Sequence, residues 1–152
     1  MPSLLRPGFI VAALVGPFVV AGLVFVVVAL SVGMGVGGTW TALAELSMGR
    51  RQNPFLSAVV GLVPMLLLLA VLALGSRWWP SAGWGPAAAW GGLAAILLVL
   101  GWAHTQFWPL FLPHRVYPGF PHGLELVIAP LFFAPPAAAL GVAVGLMMGR
   151  GG

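Results

Sequence analysis

From Pro7 to Ala44 the chain carries no charged side chain, and three more apolar stretches of bilayer-crossing length follow. An α-helix rises about 1.5 Å per residue, so about 20 apolar residues cross a hydrocarbon core of about 30 Å. Lipid offers no hydrogen-bond partner to a bare backbone, and the alternation of a barrel strand is absent, so each stretch must be helical. The expected fold is an all-α integral membrane protein, a small bundle of four transmembrane helices in one domain over residues 1–152. The helices are expected at about 9–36 with an extension to 49, then 55–74, 86–103 and 124–148.

Composition supports the same reading. Only 5% of the 152 residues are charged and 61% are hydrophobic, whereas roughly a quarter of a soluble domain is charged. Disorder requires low hydrophobicity with high net charge, the opposite of this chain. The absence of Cys removes disulfides, thiolate nucleophiles and Cys-ligated metals. Lys and Asp are absent while Ala, Gly, Pro and Arg abound, the bias of a GC-rich bacterial genome, so a bacterial inner membrane is the expected location. The six Arg flank apolar runs singly or as one pair, a membrane-edge pattern that gives no nucleic-acid surface. Arg6, Arg77 and Arg150 fall on one side and Arg50, Arg51 and Arg115 on the other, so their count sets no orientation. The first run far exceeds the 7–15 apolar residues of a secretory leader and is expected to stay as the first helix.

Three connections join the spans. Residues 50–54 are short and polar, and 77–84 form a Trp- and Pro-rich turn. Residues 105–123 are expected to form an aromatic, Pro-rich loop lying along the membrane surface or over the bundle. Pro17, Pro64, Pro130, Pro135 and Pro136 are expected to kink their helices, the fourth most of all.

Small residues recur at helical spacing. Ala137, Gly141, Gly145 and Gly149 line one stripe of the fourth helix, Ala87, Gly91 and Ala95 one stripe of the third, and Gly33 and Gly37 lie near the end of the first. Membrane helices associate by close backbone approach, so these are candidate packing faces. They serve either the bundle itself or contacts with another subunit.

Few residues could carry chemistry. Glu45 and Glu125 are the only acids. Glu45 is a candidate for proton transfer or for local pairing near Arg50, and Glu125 can complement the dipole at the start of the fourth helix. His104, His114, His122 and Glu125 cluster around the third connection and form a candidate metal or cofactor region for haem, copper or quinone. Trp102, Phe107, Trp108 and Phe111 could wall a quinone site. Ser31, Ser47, Ser57, Ser76 and Ser81 have no neighbouring His and Asp in the sequence, and neither a nucleophile elbow nor a phosphate loop occurs.

The first expectation is therefore a non-catalytic, cofactor-free subunit that packs through small-residue faces against other membrane chains or a second copy of itself, as in an energy-transducing complex. An electron-transfer subunit binding haem, copper or quinone is the alternative, and a small oligomeric transporter or channel the third.

Overall fold

A computed structural model describes residues 5–49, 52–116 and 119–150, with Arg150 defined by its backbone alone. The described residues are helical or in turns, with no strand among them. Four helical stretches are long and apolar enough to cross a membrane: Pro7–Ser31, Pro54–Trp78, Pro86–Phe111 and Glu125–Gly149. The chain therefore has the build of a multi-pass membrane protein.

Helix α1 (Pro7–Ser31) opens on Pro7, whose fixed φ suits a first helical position and whose missing N–H would have no partner there. It does not run on to residue 49 as expected. Gly33 has φ +87°, a left-handed conformation that costs a side-chain-bearing residue about 1–2 kcal/mol. Around it, Gly33 N–H donates to Leu30 C=O and Met34 N–H to Ala29 C=O, the paired bonds of a glycine-terminated helix. The chain turns, and helix α2 (Val36–Met48) folds back beneath the end of α1. At 13 residues, α2 is too short to cross a bilayer.

Helix α3 (Pro54–Trp78) starts where Asn53 caps it. The Asn53 side-chain oxygen accepts from Phe55 N–H, and its amide donates to Ser47 C=O, which ties the end of α2 to the start of α3. After a short 3₁₀ turn at Pro80–Ala82, helix α4 (Pro86–Phe111) begins at another N-terminal proline.

Helix α4 continues eight residues past its expected end, through Pro109. The reason is a second periodicity. His104, Phe107, Trp108 and Phe111 recur at i, i+3, i+4 and i+7, and all four are buried. Their packing outweighs the backbone hydrogen bond that Pro109 removes. The expected surface loop accordingly shrinks to residues 112–124, of which Tyr117 and Pro118 lie outside the described residues, as do Arg50 and Arg51 of the first connection.

The fourth span is composite: helix α5 (Glu125–Ile128), a π-helical turn (Ala129–Phe133) and helix α6 (Ala134–Arg150). Ala134 N–H reaches back five residues to Ala129 C=O. Pro135 and Pro136 explain the wider turn, because in an α-helix their rings would meet the carbonyls of Leu131 and Phe132, four residues earlier. The expected kink is thus a change of helical register, after which both prolines sit in the first turn of α6.

Helix α4 packs against α1, α3 and α6, and its contact with α6 is the most extensive in the molecule. The small residues explain why. A Cβ added to Gly91 would strike the Gly141 carbonyl, one added to Gly141 the Gly91 carbonyl, and one added to Gly145 the backbone of Ala87 and Ala88. Ala95 also lies against Gly141, and Ala137 is half-buried on the same helix. Gly37 and Gly149, by contrast, have open space where a Cβ would be, and Gly33 serves as a helix stop. Two apolar cores result. One joins Phe9, Met65, Leu68, Leu93, Ile96 and Ala138, and the other joins Phe25, Val28, Ala42, Phe107, Trp108 and Phe111 beneath α2.

Candidate functional site

The second core holds the deepest polar cluster. His104 is 2% exposed and Ser57 4% exposed, on the facing sides of α4 and α3. Ser57 occupies the inward stripe of α3 with Pro54, Ala58, Gly61, Met65 and Leu68, which is why an isolated serine meets a histidine 47 residues away. Trp108, one turn beyond His104, places its indole Nε1 2.7 Å from His104 Nδ1. On the other side of the ring, His104 Nε2 lies 2.7 Å from Ser57 Oγ.

Proton placement follows from the chemistry of the donors. An indole N–H can only donate, so His104 Nδ1 must be the acceptor and the ring proton sits on Nε2. Nε2–H then donates to Ser57 Oγ, and the Ser57 hydroxyl donates to Pro54 C=O at 2.9 Å. The chain Trp108 to His104 to Ser57 to Pro54 runs in one direction. Phe107 and Phe25 pack edge-on against the Trp108 ring and Phe111 stacks on Phe107, so the whole path lies in aromatic surroundings.

This arrangement resembles a Ser–His dyad and works in the opposite sense. A nucleophilic serine needs an unprotonated Nε2 to take its proton, and an acceptor on Nδ1–H to hold that tautomer. Here Nδ1 faces a donor, Nε2 is already protonated, and the hydroxyl points at a backbone carbonyl. The serines do not all lack a histidine, as the sequence suggests, yet the dyad is not set up for nucleophilic attack.

The remaining candidates do not join this cluster. His114 is exposed, and Trp102, 49% exposed, faces outward against Phe133. Three of the four expected wall aromatics, Phe107, Trp108 and Phe111, therefore come together without Trp102. His122 Nδ1 and Glu125 Oε1 are 4.0 Å apart across three residues at the start of the fourth span. Among the described residues, no three His, Cys, Asp or Glu side chains are grouped to hold a metal ion. Both His104 nitrogens are occupied by hydrogen bonds, so a haem or copper ligand there would first have to break one.

Glu45 pairs with Arg115 at 2.6 Å, 70 residues away, whereas Arg50, the expected local partner, lies outside the described residues. Both side chains are about half exposed. The pair ties α2 to the segment after α4, and exposed ion pairs contribute only about 0–1 kcal/mol. At the opposite end of the molecule the Trp84 ring covers Gly75, with its buried Nε1 lacking a partner among the described residues.

Sequence reasoning named Ser57 without a partner and placed Phe107, Trp108 and Phe111 in a loop, and so missed the Ser57–His104 pairing and the helical run of His104, Phe107, Trp108 and Phe111. Both signals were present as inward stripes at i, i+3, i+4 and i+7. No family model matches the chain, and neither curated proteins nor solved structures include a match.

Proposed function

We propose that the chain is a non-catalytic subunit of a multi-subunit assembly in a bacterial inner membrane, of the kind that energy-transducing complexes contain. The observation that carries this reading is the outer face of α2. Val36, Trp40, Ala44 and Met48 recur every four residues and all are exposed, Met48 by 90%. The opposite face already holds Thr39 and Ala42 buried against the bundle. A short helix that is apolar on both sides, and cannot cross the membrane, has one face left for another surface. Gly37 and Gly38 beside that face leave room for close backbone approach.

The glycine stripes of α4 and α6 do not support this reading, because they face each other within the chain. The closed Ser57–His104–Trp108 path does support it, since the groups best placed for chemistry are all engaged in holding helices together. A transport path finds less support, because the buried polar side chains are Thr39, Ser57 and His104 alone among the described residues.

A photo-reactive phenylalanine analogue at position 40 tests the reading in native membranes. Irradiation is expected to give one discrete protein adduct at high yield, either a different membrane chain or a second copy. Adducts to lipid alone would mean that α2 lies in the membrane interface and would remove the main support for a subunit.

A further inference from the structure

The π-helical turn of the fourth span leaves a main-chain acceptor without a donor. Ala134 N–H is bonded to Ala129 C=O, five residues back. The next two positions are Pro135 and Pro136, which carry no N–H, so Leu131 C=O has no donor either four or five residues further on. No side chain or other backbone N–H among the described residues bonds to it. Leu131, Phe132 and Pro136 are all exposed, which places this acceptor toward the outside of the bundle.

Beside it stands a donor without an acceptor. Trp102 of α4 is half exposed and its ring packs edge-on against Phe133, with centroids 6.3 Å apart, so the indole lies at the depth of the π-helical turn. An indole N–H can only donate, and no acceptor meets it among the described residues. Gln106 and Thr105, nearer the end of α4, bond to one another and to Trp102 C=O.

These two groups define what can cover the face. Leu131 lies six residues into the span from Glu125, about 9 Å at about 1.5 Å per residue. Acyl chains at that depth offer neither a donor nor an acceptor, and unsatisfied polar groups there are costly. The occupant must bring an acceptor for Trp102 and a donor for Leu131 at the same level. A second copy brings both, because a two-fold axis along the membrane normal preserves depth and makes one patch complementary to itself. Leu98 and Val99 form a shallow hollow with Trp102 and Phe133, which gives the opposing side chains room.

We propose that the face formed by Trp102 and the π-helical turn is a two-fold contact between copies of this chain, in which each Trp102 indole N–H donates to the partner's Leu131 C=O. It involves no residue of α2, so it stands or falls separately from the reading above.

Energy transfer between purified full chains in liposomes tests it. The chain has no Cys, so donor and acceptor fluorophores can be attached through Ser81→Cys, an exposed position at the other end of the fold. Transfer is expected to fall on dilution with lipid as for a dimer. Trp102→Phe keeps the ring and loses the N–H, and should weaken the dimer about tenfold, the equivalent of about 1.4 kcal/mol. Pro135→Ala/Pro136→Ala returns N–H donors to the turn and should weaken it by a similar factor. The two changes combined should do little more than either alone, since both remove the same bond. Trp90→Phe, at an equally exposed indole near the start of α4, should leave the dimer unchanged. Circular dichroism verifies the helix content of each variant. Absence of transfer between wild-type chains, a Trp102→Phe dimer as tight as wild type, or an equal loss in Trp90→Phe would each overturn the proposal.

Discussion

Gly145→Leu is expected to separate α4 from α6 and lower stability by about 3 kcal/mol, the upper end of the usual overpacking penalty. The reason lies in what surrounds the glycine. A Cβ there meets the Ala87 carbonyl and the Ala88 Cα, both main-chain atoms of a helix that cannot rotate aside like a side chain. The helices must move apart, and close dispersion contacts are lost along the interface through Gly91 and Gly141. Gly149→Leu is the internal control. It carries the same substitution one turn further along the same helix, where nothing lies within 4 Å, and should change stability by less than about 0.5 kcal/mol. Unfolding midpoints in mixed micelles measure both variants. Equal midpoints would mean that the α4–α6 contact does not hold the protein together.

The second large effect is expected at the buried polar path. His104→Leu leaves the Trp108 Nε1–H without an acceptor in an aromatic core, and an orphaned buried donor costs about 1–3 kcal/mol. Trp108→Phe leaves the His104 Nδ1 lone pair equally stranded and also loses packing volume. The double variant removes both partners together, so its destabilisation should fall short of the sum of the singles by about 1 kcal/mol or more. A simple sum would show that the indole–imidazole bond does not form.

Much of the fold was legible because membrane insertion leaves few options. Length and apolarity locate the starts of the four spans closely and their ends less well, and each of α1, α3 and α4 opens on the proline that sequence rules favour at a helix start. The departures have local causes. Gly33 ends α1 because its backbone turns left-handed, a stop that an uninterrupted apolar run conceals. Pro109 looked like a breaker, and was overruled by a buried stripe whose members sit on both sides of it. The π-helical turn follows from two adjacent prolines acting on carbonyls four residues earlier, an effect that hydropathy does not register. Of the small-residue stripes read from spacing, Gly91, Gly141 and Gly145 lie where α4 and α6 approach closely, whereas Gly149 meets nothing. Which surface each stripe would meet was not legible, because that depends on how the helices are placed about one another.

The candidate site was less legible for the same reason. Histidines close in sequence drew attention to His114 and His122, while the histidine with the most defined environment, His104, takes its partners from its own next turn and from a serine on another helix. Pairings such as Ser57 with His104 and Glu45 with Arg115 span 47 and 70 residues. Single-sequence periodicity identifies which face of a helix turns inward, but not which helix it meets.

The central claim is that this chain acts by packing against other membrane chains. Purification of the tagged protein from its native membrane in mild detergent tests it most directly, with mass spectrometry of co-purifying proteins and an absorption spectrum taken on the same sample. Stoichiometric membrane partners, with no haem or copper absorption attributable to this chain, are the predicted result. A lone monomer or homo-oligomer that carries haem or metal would contradict the account and make the histidine-bearing end of α4 a redox centre.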